Sequence, residues 1–145
     1  TTNMLIDCGI PVYKEFDKSH YEGVDLIVYT GAVKEDDIVF SYPKSLGLPF
    51  VTRSVFLGYL MKQSKNPIGV SGTHGKSSTT GMLSSIFSQE ENRDHTVMAG
   101  AVLPELGGTY RLGHGEDFVF EACEYQNSFL DFFPHIALIL NVEHD

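Results

Sequence analysis

The sequence predicts an α/β protein made of two consecutive parallel-sheet pieces. Near-continuous apolar runs of strand length recur at residues 24–29 (VDLIVY), 68–71 (IGVS) and 136–142 (IALILNV). The runs at 24–29 and 136–142 have the pattern of strands covered on both faces of a parallel sheet. Helical spacing recurs between them, at residues 54–65 and 76–90. A Gly-rich turn joins the run at 68–71 directly to the second of these helices, the strand–turn–helix order of a parallel unit with right-handed crossovers.

Taken in order, residues 9–13 read as a short strand after a turn, 24–29 as a second, and 48–51 (LPFV), entered through Gly47 and Pro49, as a third. The polar segments 34–40 and 41–46 carry short helices. In residues 54–65, Phe56, Leu57, Leu60 and Met61 fall at helical spacing, Lys62 and Lys65 suit the negative end of the helix dipole, and Asn66-Pro67 ends the helix. The order strand, strand, strand, helix is an incomplete Rossmann-like piece. The second piece begins with the strand at 68–71 and the helix from 76 to about 90, whose expected buried stripe is Met82, Leu83, Ile86 and Phe87. Residues 96–99 form a further strand. Residues 109–112 and 118–122 suggest a hairpin around Gly113-His114-Gly115-Glu116. A short helix at 126–132 stops before Pro134, and 136–142 closes the piece. The division falls near 65–67, giving residues 1–66 as one domain portion and 67–145 as the start of a P-loop-type parallel-sheet domain.

Bulk properties bound the function. At 145 residues the chain has the size of about one domain, with 42% hydrophobic and 20% charged residues. Ten Phe and seven Tyr exclude a disordered chain. A net charge of −9 speaks against a nucleic-acid partner, which needs clustered Lys and Arg, but not against one nucleotide. Cys8 and Cys123 stand far apart and read as reduced thiols. The sequence shows no signal peptide, and its longest apolar stretch, 136–140, is too short to enter a bilayer as a span. The expectation is a cytoplasmic protein without membrane insertion.

The turn Gly72-Thr73-His74-Gly75-Lys76-Ser77 has the layout of a phosphate site. Glycines allow close backbone approach, and the N–H groups of the first helical turn, through Ser78, lack partners within the helix and point at an anion. Lys76 is placed to reach the terminal phosphates of ATP, and the Ser77 hydroxyl to bind Mg²⁺. The spacing departs from G-x-x-x-x-G-K-[ST], which would put Gly where Val70 stands. A Gly-rich turn that merely opens a helix is the bland alternative. His74 either contacts the ligand or packs and caps the loop.

Downstream, Glu121 ends the apolar run 118–121, and ligands of parallel sheets collect at carboxyl ends of strands. Its carboxylate could complete a Mg²⁺ shell with Ser77, with Glu124 a second candidate. Each is equally readable as a solvated or paired acid. Glu143-His144-Asp145 also lies at a strand end. His114 reads as a turn residue, and His20, His95 and His135 show no ligand spacing.

These residues resemble a known family. The run 72–80 (GTHGKSSTT) is similar to the G-T-H-G-K-[TS]-[TS]-T-[TS] loop of Mur ligases. Residues 121–130 (EACEYQNSFL) resemble the E-A-x-E-x-x-x-S-F-L stretch of the alanine-adding type. Pro134 with Asn141-Val142-Glu143, residues 29–33 (YTGAV), Gly47-Leu48-Pro49 and Arg53 also match its pattern. The resemblance spans nearly the whole chain. It implies an ATP-dependent amide ligase of peptidoglycan precursor synthesis: the γ-phosphate of ATP passes to the carboxylate of UDP-N-acetylmuramate, and the amine of L-alanine attacks the acyl phosphate. It implies Lys76 and Glu121 as catalytic residues and Ser77 and Glu121 as Mg²⁺ ligands. The family pattern runs N-[IV]-E-x-D-H, and its metal-binding histidine would fall past Asp145, while His144 sits on the variable position. The resemblance therefore implies a fragment, inactive alone, whose exposed sheet edge predicts self-association. Two other readings stand beside it: a ligase that adds a preformed peptide to the same UDP-muramate, and a nucleotide-binding module without catalysis.

Overall fold

The computed structural model describes residues 2–122 and 125–143, and the chain divides into two compact units, Thr1–Thr52 and Arg53–Asp145. The expected positions Cys123, Glu124, His144 and Asp145 lie outside the described residues.

The first unit contains helix α1 (Thr2–Asp7), strand β1 (Ile27–Tyr29), helix α2 (Ile38–Ser45) and strand β2 (Phe50–Thr52). Strands β1 and β2 pair in parallel, Val28 against Val51, with α2 as the crossover. Asp37 caps α2 by accepting from the Val39 N–H at 3.0 Å. Pro43 lies inside that helix and cannot donate to the Val39 carbonyl one turn back. The Tyr21 hydroxyl donates to that carbonyl instead, at 3.1 Å. Two expectations fail here and a third changes. Residues 10–13 form no strand, and Val28, at 43% exposure, shows that β1 is not covered on both faces. The two expected short helices are one, α2.

In the second unit, helix α3 (Arg53–Met61) precedes strand β3 (Asn66–Ser71), helix α4 (Lys76–Gln89), and strands β4 (Thr96–Leu103), β5 (Gly108–Arg111), β6 (Asp117–Glu121) and β7 (Ile136–Ile139). A 3₁₀ segment, Tyr125–Asp131, links β6 to β7. The strand order is β5-β4-β6-β3-β7, with β4, β6, β3 and β7 parallel and β5 antiparallel to β4. Alternation along β6 sorts the core. Val119 packs with Ile68, Val70, Val97, Leu103 and Phe87 of α4, while Phe118 and Phe120 pack with Leu57 and Met61 of α3. Helix α3, which the sequence grouped with the first piece, thus clusters with the second unit.

Three expectations change. The hairpin runs between β4 and β5, closed by Pro104–Gly107 with Gly107 at φ 60°, and β6 lies on the other side of β4. The glycines at 113 and 115 serve a crossing rather than a tight turn. A Cβ on either would collide with the Asp94 backbone, under which the chain passes to reach β6. Second, α4 buries Thr80, Gly81, Ser84 and Phe87, whereas Met82 and Ile86 are exposed at 58% and 56%. Small residues let the helix approach the sheet, and Gly81 faces Leu103 and Glu105. Third, β7 is an edge strand, so Ile136 and Ile139 are exposed despite the apolar run; Leu60 of α3 is likewise exposed.

Candidate phosphate-loop site

Strand β3 delivers the chain to the carboxyl rim of the sheet at Ser71, and the loop 72–75 turns it into α4. Gly75 is the N-cap residue at φ 84°, a left-handed conformation that favours glycine. Helix α4 then starts at Lys76, so the N–H groups of its first turn open toward the rim. Thr79 N–H already donates to the Gly75 carbonyl at 3.0 Å. The Lys76 ammonium folds back over the loop, donating to the Gly72 carbonyl at 2.6 Å and to the Thr73 carbonyl at 3.4 Å. Ser77 is half-buried and Ser78 exposed.

Glu121 stands at the end of β6, beside β3, in register with Val70. The Ala122 N–H extends that ladder by donating to the Val70 carbonyl at 2.9 Å. The sheet therefore brings Glu121 to the same rim as the loop. Its Oε1 is buried and, among the described residues, has no hydrogen-bond partner. Its Oε2 faces Gly100 of β4, where a Cβ would lie 2.8 Å away.

The end of β7 meets the loop from the other side. His74 N–H donates to Asn141 Oδ1 at 2.9 Å, and Asn141 Nδ2 donates to the His74 carbonyl at 3.0 Å. The His74 ring is exposed and pairs with Glu143 at 3.6 Å. Sequence reasoning named Asn141 only within a matched motif and did not see it as a loop contact. Gly100 gave no signal in the sequence, because only the register of β4 against β6 puts it at the carboxylate.

Other histidines lie elsewhere. His20 stacks on Tyr13 in the first unit. His114 lies in the crossing loop, and its N–H donates to Asp94 Oδ2. His95 is fully buried below α4, 2.9 Å from Ser84 Oγ and 2.9 Å from Arg111 Nη1. Burial, with Arg111 adding to it, holds its pKa below the ordinary value of 6.5. An open hollow of about 500 Å³ lined by Met61, Lys62, Phe133 and His135 lies at the amino end of β3, away from the rim. Among the described residues no three His, Cys, Asp or Glu side chains gather as a metal cluster. No helix among them is long and apolar enough to cross a membrane.

No family model matches the chain. Curated relatives do. The chain is 44% identical over 145 residues to a UDP-N-acetylmuramate–L-alanine ligase of Caldicellulosiruptor saccharolyticus, and 44% identical over 141 residues to that of Clostridium tetani. The chain belongs to the Mur ligase family. It spans 32% and 31% of the length of these two relatives. Two solved Mur ligases share its fold over 99% of the chain. One is a UDP-N-acetylmuramate–alanine ligase from Thermotoga maritima, with TM-score 0.87, 27% identity and 34% of that chain covered. The other is the UDP-N-acetylmuramate:L-alanyl-γ-D-glutamyl-meso-diaminopimelate ligase from Neisseria meningitides, with TM-score 0.86, 26% identity and 50% covered. The incomplete α/β pieces expected from the sequence are thus Mur ligase pieces.

Proposed function

We propose that the protein carrying this sequence is an ATP-dependent amide ligase that joins L-alanine to UDP-N-acetylmuramate through an acyl phosphate, in the cytoplasmic synthesis of peptidoglycan precursor. The observation that supports it most is the meeting, on one sheet rim, of the first turn of α4 with Lys76 and the buried Oε1 of Glu121, which has no hydrogen-bond partner among the described residues. An amine does not displace oxygen from a carboxylate at neutral pH, so the acid must first be activated. The N–H groups opening α4 and the Lys76 ammonium hold the triphosphate of ATP and stabilise charge on the transferring group. Binding requires Lys76 to exchange the Gly72 carbonyl for phosphate oxygen.

The rim fits Mg²⁺. This ion takes one or two carboxylates and keeps waters and phosphate oxygens, so it needs no three-residue cluster. Glu121 offers Oε1, which has no hydrogen-bond partner among the described residues, while its Oε2 lies against Gly100, and Ser77 offers a hydroxyl at the helix start. When bound, the ion would neutralise phosphate charge. The unit Thr1–Thr52 then belongs to the portion that handles the UDP substrate, and the unit Arg53–Asp145, which takes in α3, to the portion that handles ATP, with no role for nucleic acid.

The test is a calorimetric titration with Mg²⁺-ATP of the unmutated protein and Lys76→Ala. Saturable binding that the substitution abolishes is expected; equal binding by both would remove Lys76 from the site. The likeness to the peptide-adding enzyme of Neisseria meningitides supports a second reading, in which a preformed peptide is the amine donor. Phosphate release with UDP-N-acetylmuramate plus alanine, against the same plus tripeptide, separates the two.

A further inference from the structure

We infer that the segment following β7 is the template that shapes the phosphate loop, and that Asn141 is its positioning residue. The inference rests on the nucleotide reading above. Four hydrogen bonds tie the two stretches together. Besides the reciprocal pair between the Asn141 amide and the His74 backbone, the Thr73 N–H donates to the Asn141 carbonyl at 3.4 Å, and the Glu143 N–H donates to Thr73 Oγ1 at 3.2 Å. The Leu140 N–H continues the β3–β7 ladder by donating to the Ser71 carbonyl at 3.0 Å. The ladder thus runs without a break from paired strands into a loop gripped by a side chain.

The loop glycines agree with this template. A Cβ on Gly72 would lie 3.1 Å from Leu140 Cβ and 3.3 Å from the Asn141 backbone N and O. A Cβ on Gly75 would sit 3.4 Å from Leu140 Cδ1. Both glycines face the end of β7, so the room they leave is taken by protein. The close approach first ascribed to a ligand is a close approach of Leu140 and Asn141. This also accounts for the departure at Val70 from the general phosphate-loop spacing: the end of β7 fixes the short loop, in place of a longer glycine-flanked arch. It further divides the donors. The Thr73 and His74 N–H groups are committed to Asn141, which leaves phosphate binding to the N–H groups from Gly75 onward and to Lys76.

The test compares the protein with Asn141→Ala and Asn141→Asp. Amide hydrogen exchange is read by NMR, and Mg²⁺-ATP affinity by calorimetry. In Asn141→Ala the His74 amide is expected to exchange at least about tenfold faster, the scale of one lost hydrogen bond, while Ile68 and Val70 of β3 stay protected. Affinity falls about tenfold by the same measure. Asn141→Asp keeps the acceptor for the His74 N–H but loses the donor to the His74 carbonyl, so it is expected to protect His74 more than Asn141→Ala does and less than the unmutated protein. Unchanged exchange at His74, or faster exchange at His74 with unchanged affinity, overturns the inference. A general rise across β3 overturns it too, since that is the mark of a merely structural residue. Absence of ATP binding by the unmutated protein refutes the nucleotide reading instead, and the exchange pattern still decides whether Asn141 shapes the loop.

Discussion

Gly100 and Glu121 meet across the β4–β6 pair so closely that a Cβ on Gly100 would lie 2.8 Å from Glu121 Oε2. The acid and the missing side chain form one arrangement. Gly100→Ala must push the carboxylate off its position or strain the strand. Mg²⁺-dependent ATP binding is expected to weaken about tenfold, roughly one charge-assisted contact, with little change in Mg²⁺-free binding. Titrations with and without Mg²⁺ check this, and equal loss in both would detach Gly100 from the metal.

Gly58 of α3 touches the backbone of the 3₁₀ segment that leads away from β6. A Cβ there would overlap the Asp131 carbonyl oxygen. Backbone cannot yield as a flexible side chain does, so Gly58→Ala is expected to cost about 2–3 kcal/mol, despite alanine's better helix propensity. Urea unfolding measures it; a stabilised variant would disprove the contact.

His95 makes stability depend on pH. Nδ1 lies 2.9 Å from Arg111 Nη1, which can only donate, and 3.4 Å from the Arg93 carbonyl, which can only accept; the shorter contact favours Nδ1 as acceptor, with Nε2 facing Ser84 Oγ at 2.9 Å. Around the ring stand Arg93, Asp94, Arg111, Asp117, Ser84 and Phe87. The folded pKa is below 6.5, so in acid the unfolded chain takes up the proton first. The contribution is complete above about pH 6.5 and is lost as pH falls toward and through the folded pKa. Asp117, held below its usual 3.8 first of all by Arg93, adds its own loss only in stronger acid. Unfolding midpoints at pH 7.5 and 5.0 should therefore differ less in His95→Gln than in the unmutated protein. An unchanged difference would mean that His95 does not carry it.

Strand β7 leaves an apolar edge, with Ile139 70% exposed. Such edges pair with other chains. Sedimentation is expected to show association rising with concentration, reduced by Ile139→Lys. A monomer at all concentrations would show that the edge is guarded.

How much of this was legible beforehand follows from what sets each feature. The Gly-rich loop at 72–75 and the helix after it were readable because glycine, lysine and serine act locally, at fixed offsets from a strand. The α4 face was misjudged because hydrophobicity favoured Met82 and Ile86, while close approach to the sheet selected Thr80, Gly81 and Ser84. The turn at 113–116 was misplaced because glycine reports a tight spot without saying what causes it; here it is Asp94 overhead. Asn141 and Gly100 matter only through partners distant in sequence. His74 to Asn141 spans 67 residues, a pairing no window can see.

The central place of β6 also bears on how the chain is made. Strand β3 gains its inner neighbour only when Asp117 arrives opposite Asn66, 51 residues later. At the roughly 5–20 residues per second of translation, that interval is about 3–10 s. During it Ile68 and Val70 have emerged with no sheet to enter, while β4 and β5 can already close their hairpin. The segment that leads into the loop at 72–75 is thus born early and housed late, a window in which a chaperone has most to hold.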